Sequence, residues 1–122
     1  MWNLGDRVLA LWPGDMKWWY PGVVVGVEGS RFELQFDDGD RSMVSASEIA
    51  KLEFPTGAKI HSRISSELAY VPAAVLKQQG SALLLRISKE IMANASKDIE
   101  IWTSVAMVRI DRSTTGDWLR RN

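Results

Sequence analysis

Gly29-Ser30-Arg31-Phe32-Glu33-Leu34-Gln35-Phe36 reads as a turn followed by a strand, with Phe32, Leu34 and Phe36 alternating against Arg31, Glu33 and Gln35. Successive side chains of an extended chain point to opposite faces, so this spacing puts the apolar residues on one face and the polar ones on the other. Gly80-Ser81-Ala82-Leu83-Leu84-Leu85-Arg86-Ile87 repeats the same turn and strand 51 residues later. Upstream, Tyr20-Pro21-Gly22-Val23-Val24 is answered by Val71-Pro72-Ala73-Ala74-Val75 at the same offset, and Gly5-Asp6-Arg7-Val8 by Gly57-Ala58-Lys59-Ile60 at 52. Downstream, the second copy gains about seven residues around 90–97, after which Ile101-Trp102 answers Met43-Val44. The chain is two copies of one unit of roughly 50 residues.

Strand-like runs recur at 7–12, 20–27, 31–36, 60–64, 73–76, 83–87 and 100–105. Pro13-Gly14-Asp15, Glu28-Gly29-Ser30, Asp38-Gly39 and Gln79-Gly80-Ser81 lie between them and supply turn chemistry, so the fold class is all-β. Only a short turn at 46–50 and a weak stretch near 89–95 favour helix. Strand alternation sets Trp19 with Val23, Val25 and Val27 on a core face, and Trp18 with Tyr20 on the other. Trp102 is expected in the core of the second copy. Glu53-Phe54-Pro55 is too short for a free linker, which predicts that the copies pack together.

The 122 residues are 46% hydrophobic and 25% charged, an ordinary globular composition. No apolar run approaches the roughly 20 residues that cross a bilayer, and Met1-Trp2-Asn3-Leu4-Gly5-Asp6 lacks the pattern of a secretory signal, so a cytosolic or nuclear setting is expected. There is no cysteine, which excludes disulfides, thiolate catalysis and the common structural zinc sites. One histidine, His61, makes a Ser-His-Asp relay or a two-histidine metal site a poor fit, and it reads as an ordinary strand residue. No cofactor is expected. Net charge is zero, but residues 1–54 hold five Lys/Arg against nine Asp/Glu, and residues 55–122 hold ten against six. A cationic ligand would prefer the first half.

Leu4-Gly5-Asp6-Arg7-Val8-Leu9-Ala10-Leu11-Trp12, Trp19-Tyr20-Pro21-Gly22-Val23-Val24, Phe36-Asp37-Asp38-Gly39, Val44 and Glu48-Ile49 span nearly all of the first repeat. In this pattern the chain resembles the Tudor family, in particular its methyl-lysine-reading branch and the tandem Tudors of checkpoint adaptors. The resemblance implies two small five-stranded SH3-like barrels: residues 1–54 with a cage, residues 55–112 without one, and a tail at 113–122. It also implies a nuclear, non-enzymatic reader of a methylated histone tail, with cage residues Trp12, Tyr20, Phe36 and Asp38; Trp18, on the face of Tyr20, and Asp37 and Asp40, nearer the rim, are expected at its periphery. Where the family often has a further aromatic after the DDG glycine, this chain has Asp40, leaving three ring walls and a more acidic rim.

The chemistry of these residues supports such a role without the family. A methylammonium is a full but poorly hydrated cation, so ring faces can replace its water at about 0.5–2 kcal/mol per contact. A carboxylate adds Coulomb attraction and accepts the residual N–H of a mono- or dimethylated amine, which trimethyl-lysine lacks. Each element also has a plainer reading. Trp12 and Phe36 fit the core of a tiny barrel, and Asp38-Gly39 fits a type I′ hairpin.

In the second repeat Ile64, Val71 and Ile87 stand where Trp12, Tyr20 and Phe36 stand, and Lys89 replaces Asp38, which tells against a second cage. Its Lys59, Arg63, Lys77, Arg86 and Lys89 leave nucleic acid open as a partner of that half. The residues are also compatible with a methylarginine reader or a protein-assembly module. In the polar tail, Trp118 and Leu119 either fold back onto the barrels or meet a partner.

Overall fold

The computed structural model describes residues 2–64, 69–92, 95–114 and 118–119. The chain divides into two compact units, one formed by Met1–Glu53 with Asp111–Asn122 and the other by Phe54–Ile110. The first holds β1 (Arg7–Leu11), β2 (Trp18–Glu28), β3 (Arg31–Phe36), β4 (Arg41–Ser45) and β5 (Ile49–Lys51). The second holds β6 (Lys59–Ser62), β7 (Val71–Gln79), β8 (Ala82–Ile87), β9 (Ile99–Ser104) and most of β10 (Val108–Asp111). All the pairings within the units are antiparallel: β1 with β2 and β5, and β2–β3–β4 in series; β6 with β7 and β10, and β7–β8–β9 in series. Each unit is therefore the same small five-stranded, barrel-like sheet.

Local geometry repeats with the sequence. Gly29 and Gly80 take φ of +62° and +58° as first residues of two-residue hairpins, a conformation that costs glycine little. The β2–β3 register shifts between Val24 and Gly26, and the β7–β8 register between Val75 and Lys77, so both units carry one bulge at the same place. The Gly5 N–H donates to Val24 O at 2.8 Å, and the Gly57 N–H to Val75 O at 2.7 Å.

Phe32, Leu34 and Phe36 are buried, as their alternation requires, with Val8, Ala10, Val24, Val44 and Ile49 around them. β1 is buried on both faces, since Leu9 and Leu11 point away from that cluster and are equally closed. Trp19, opposite Leu11, is buried on this second face. The expectation that Trp19, Val23, Val25 and Val27 line one core face is corrected. The face of Tyr20 and Val24 lines the interior, while Val23 and Val25 are half-buried and Val27 is exposed. The cause is pairing: Tyr20 and Gly22 stand opposite inward-facing Ala10 and Phe36, and the bulge at Val25 then resets the phase.

Ala46–Glu48 and Val105–Met107 form single 3-10 turns, the first within the expected turn at 46–50. The described residues of 89–95 form turns and no helix. Trp102 is also corrected. Ser45 pairs with Arg31 and Ser104 with Ala82, so Trp102 corresponds to Met43 rather than Val44, and the insertion is eight residues. A one-residue slip turns a strand residue to the other face, and Trp102 is 51% exposed.

Candidate functional site

Trp12 closes β1, and its N–H donates to Trp18 O at 3.2 Å, making the two tryptophans opposite partners at the end of the β1–β2 ladder. Trp12, Trp18 and Tyr20 lie on the face of Ala10, at one mouth of the first unit. Trp12 and Tyr20 are partly buried against the interior cluster, and Trp18 is half-buried. Phe36 is only 2% exposed within that cluster, so, unlike the two more open rings, it is closed off in the interior and presents no open face as the third wall expected of it. Gly22 lets β2 approach β3 closely, because a Cβ there would lie 2.9 Å from Gln35 O. That approach places Tyr20 beside the strand that delivers Phe36 and its acidic turn.

After Trp12 the chain curls back, with the Met16 N–H donating to Trp12 O at 2.9 Å. A Cβ on Gly14 would stand 2.5 Å from Trp12 Cη2 and Cζ3, so the loop backbone lies directly on the indole. Gly14 thereby confines the ring. It is absent from the sequence-derived candidates, although its position two residues after Trp12 in a Pro-Gly-Asp turn is the signal that points to it.

The acidic turn is built by three bonds: the Gly39 N–H to Phe36 O at 2.9 Å, the Phe36 N–H to Asp40 O at 2.8 Å, and the Asp40 N–H to Asp38 Oδ1 at 3.0 Å. Only Gly39 has positive φ, at +101°, so the loop is a three-residue turn ending in a glycine bulge and not the expected type I′ pair. Asp38 and Asp40 are exposed. Asp37 is engaged differently, because Arg7 Nη2 donates to its Oδ2 at 2.7 Å in a two-pronged pair. The hydrogen bond to Asp37 raises the Arg7 pKa, with partial burial opposing it. Arg7, 30 residues away, is not among the sequence-derived candidates. Its charge offsets that of Asp37 and leaves Asp38 and Asp40 as the exposed anions of the turn.

In the second unit Ile64 and Val71 are partly buried, Ile87 is sealed and Lys89 is exposed. Its aromatic–cation contacts lie elsewhere, with Arg109 and Arg63 4.1 and 5.3 Å from the centroid of Tyr70. His61 lies in β6 opposite Arg109. Among the described residues no group of three or more His, Asp or Glu is placed to hold a metal.

Residues 4–52 match the family model described as the DNA repair protein Crb2 Tudor domain. Among solved structures, the chain is similar to the Crb2 tandem tudor domains, with TM-score 0.67 and 16% identity, over 98% of this chain and 94% of that one. No curated protein matches.

Proposed function

On the premise that this chain is a tandem Tudor domain by fold, we propose that it is a non-enzymatic chromatin reader that binds a methylated lysine of a histone tail. The reading assigns the cage to residues 1–54, gives 55–112 no cage, and places the protein in the nucleus. One observation supports it: two partly open rings, Trp12 and Tyr20, pack on the interior cluster of the first unit, and the turn that follows β3 carries exposed acids that include Asp38. The rings replace the water of a methylammonium, and Asp38 supplies the counter-charge. The relation to a DNA repair protein's Tudor domain agrees with a chromatin setting.

The test is titration of the full chain with histone peptides carrying lysine in its four methylation states. Mono- or dimethyl-lysine should bind best, and Trp12→Ala should abolish the preference for methylation. Equal affinity for all four states, unaltered in Trp12→Ala, removes the proposal.

A further inference from the structure

A recess that shares Trp18 with the aromatic group lies within the first unit. It is an open-sided cavity of about 530 Å³, lined by Met16, Lys17, Trp18, Asp111, Arg112 and Ser113. Its size is that of a site for a side chain or small ligand. Two lining residues are cations. The one acid, Asp111, accepts the Ser113 N–H and hydroxyl at its Oδ1, at 2.8 Å each, and its single charge is outnumbered by the two cations. Arg112 is anchored across the recess, its N–H donating to Lys17 O at 2.9 Å and its Nη1 to Met16 O at 3.3 Å. Guanidinium has five N–H donors in a planar fork, so this anchorage fixes the group and leaves donors for a ligand. Met16 is the only non-glycine with positive φ among the described residues, at 57°. Such strain persists where surrounding contacts over-determine it, and it concentrates at ligand sites.

We infer that this recess binds an anionic side chain, carboxylate or phosphate, two or three residues from the methylated lysine in the same peptide. The inference rests on the proposed function for the methylated residue, and its geometry runs through Trp18. That residue is the cross-strand partner of Trp12 and also a wall of the recess, so a ligand leaving Trp12 and Tyr20 passes over it. Opposite partners stand about 5 Å apart, and three extended residues span about 10 Å, so two or three residues of an extended peptide are long enough to cross the Trp12–Trp18 pair. A long polyanion fits less well than one local anion. Residues 1–53 and 111–122 hold eleven Asp/Glu against eight Lys/Arg, and the exposed acids of the turn 37–40 flank the mouth.

The test uses the full chain and glycine–alanine peptides with one lysine or dimethyl-lysine, and with serine, phosphoserine or glutamate three residues to either side. Phosphoserine should tighten binding about fivefold over serine and glutamate less, since a doubly charged fork-and-phosphate pair exceeds a single carboxylate. Lys17→Gln and Arg112→Gln should each remove most of that gain; Lys17→Gln should leave the gain from dimethylation intact, whereas Arg112→Gln also loses the bond to Met16 O beside the loop over Trp12 and is read for the anion-dependent gain alone. Lys17 is exposed, so Lys17→Gln remains informative if the Arg112 variant unfolds. A phosphoserine gain with no dimethylation gain would overturn the cage and keep the recess. The absence of any anion-dependent gain, or a gain unchanged in Lys17→Gln, overturns the recess. Tight, salt-sensitive binding of a single-stranded oligonucleotide lost in the same variants, with no peptide preference, assigns it to nucleic acid and equally overturns the inference.

Discussion

Asp38→Asn separates charge from shape. The Asp38 side chain accepts the Asp40 N–H, and an asparagine amide oxygen can accept the same bond, so the turn should form normally. What disappears is the anion. Because charge-assisted bonds are roughly twice as strong as neutral ones, affinity for mono- and dimethyl-lysine should drop, and that for trimethyl-lysine should drop less. Calorimetry against the four lysine states reads this out, and unchanged affinity for all of them would take Asp38 out of the cage. Trp12→Ala and Tyr20→Ala should each cost about 1–2 kcal/mol of binding, roughly tenfold, whereas Ile64→Ala in the second unit should leave affinity nearly unchanged. Both rings also pack on the interior cluster, so melting must be followed alongside. Gly14→Ala tests confinement, since its Cβ would collide with the indole at 2.5 Å and weaken binding while Tm moves by less than about 3 °C. The strand ends that hold Trp12 and Tyr20 and the turn that holds Asp38 were legible from the strand and turn pattern, while their assignment to a cage came from the resemblance and is what these variants test. Gly14 and Arg7 were not, because their roles exist only once the loop has curled onto a ring or β1 has met the turn after β3.

For single elements, alternation shows which side chains share a face but not which face is inside. β3 is unambiguous, with apolar and polar residues strictly alternating, and it folds as read. β2 is apolar on both faces, so Trp19 and Val24 both look internal although they point opposite ways; the decision comes from Ala10 and Phe36 across the ladder. Strands as short as β5 and β10 carry too few residues for any period to appear. β9 shows the cost of a slip in alignment across an insertion, since one residue of error reverses the direction of Trp102. The consequence is measurable. Trp102→Ala should change stability by less than about 1 kcal/mol, because the ring is half in water, while Leu85→Ala, fully buried in β8, should cost about 2–5 kcal/mol. Denaturant melts of the two variants decide it, and comparable losses would mean that Trp102 carries core packing after all.

For the whole molecule, the repeat was legible because turns and bulges recur at a constant offset, and these follow from glycine positions and apolar pattern alone. The route of the chain end was not, because no period or turn signal specifies which unit a polar segment returns to. Asp111–Asn122 groups with the first unit, 58 residues or more after Glu53 leaves it. Arg112 makes the return specific by donating to Met16 O and Lys17 O, the backbone just beyond the loop that holds Trp12. Shortening the chain to residues 1–110 should therefore lower the stability of the first unit. Each of the two hydrogen bonds is worth about 0.5–1.5 kcal/mol, and Met16 would lose a contact that holds its positive φ. The loop 13–16 should then loosen over the indole, and affinity for a methylated peptide should fall even though Trp12, Tyr20, Phe36 and Asp38 are all retained. Thermal melting and peptide titration of residues 1–110 against the full chain provide the comparison. Identical melting and identical affinity would show that the returning segment neither supports the first unit nor shapes its aromatic mouth.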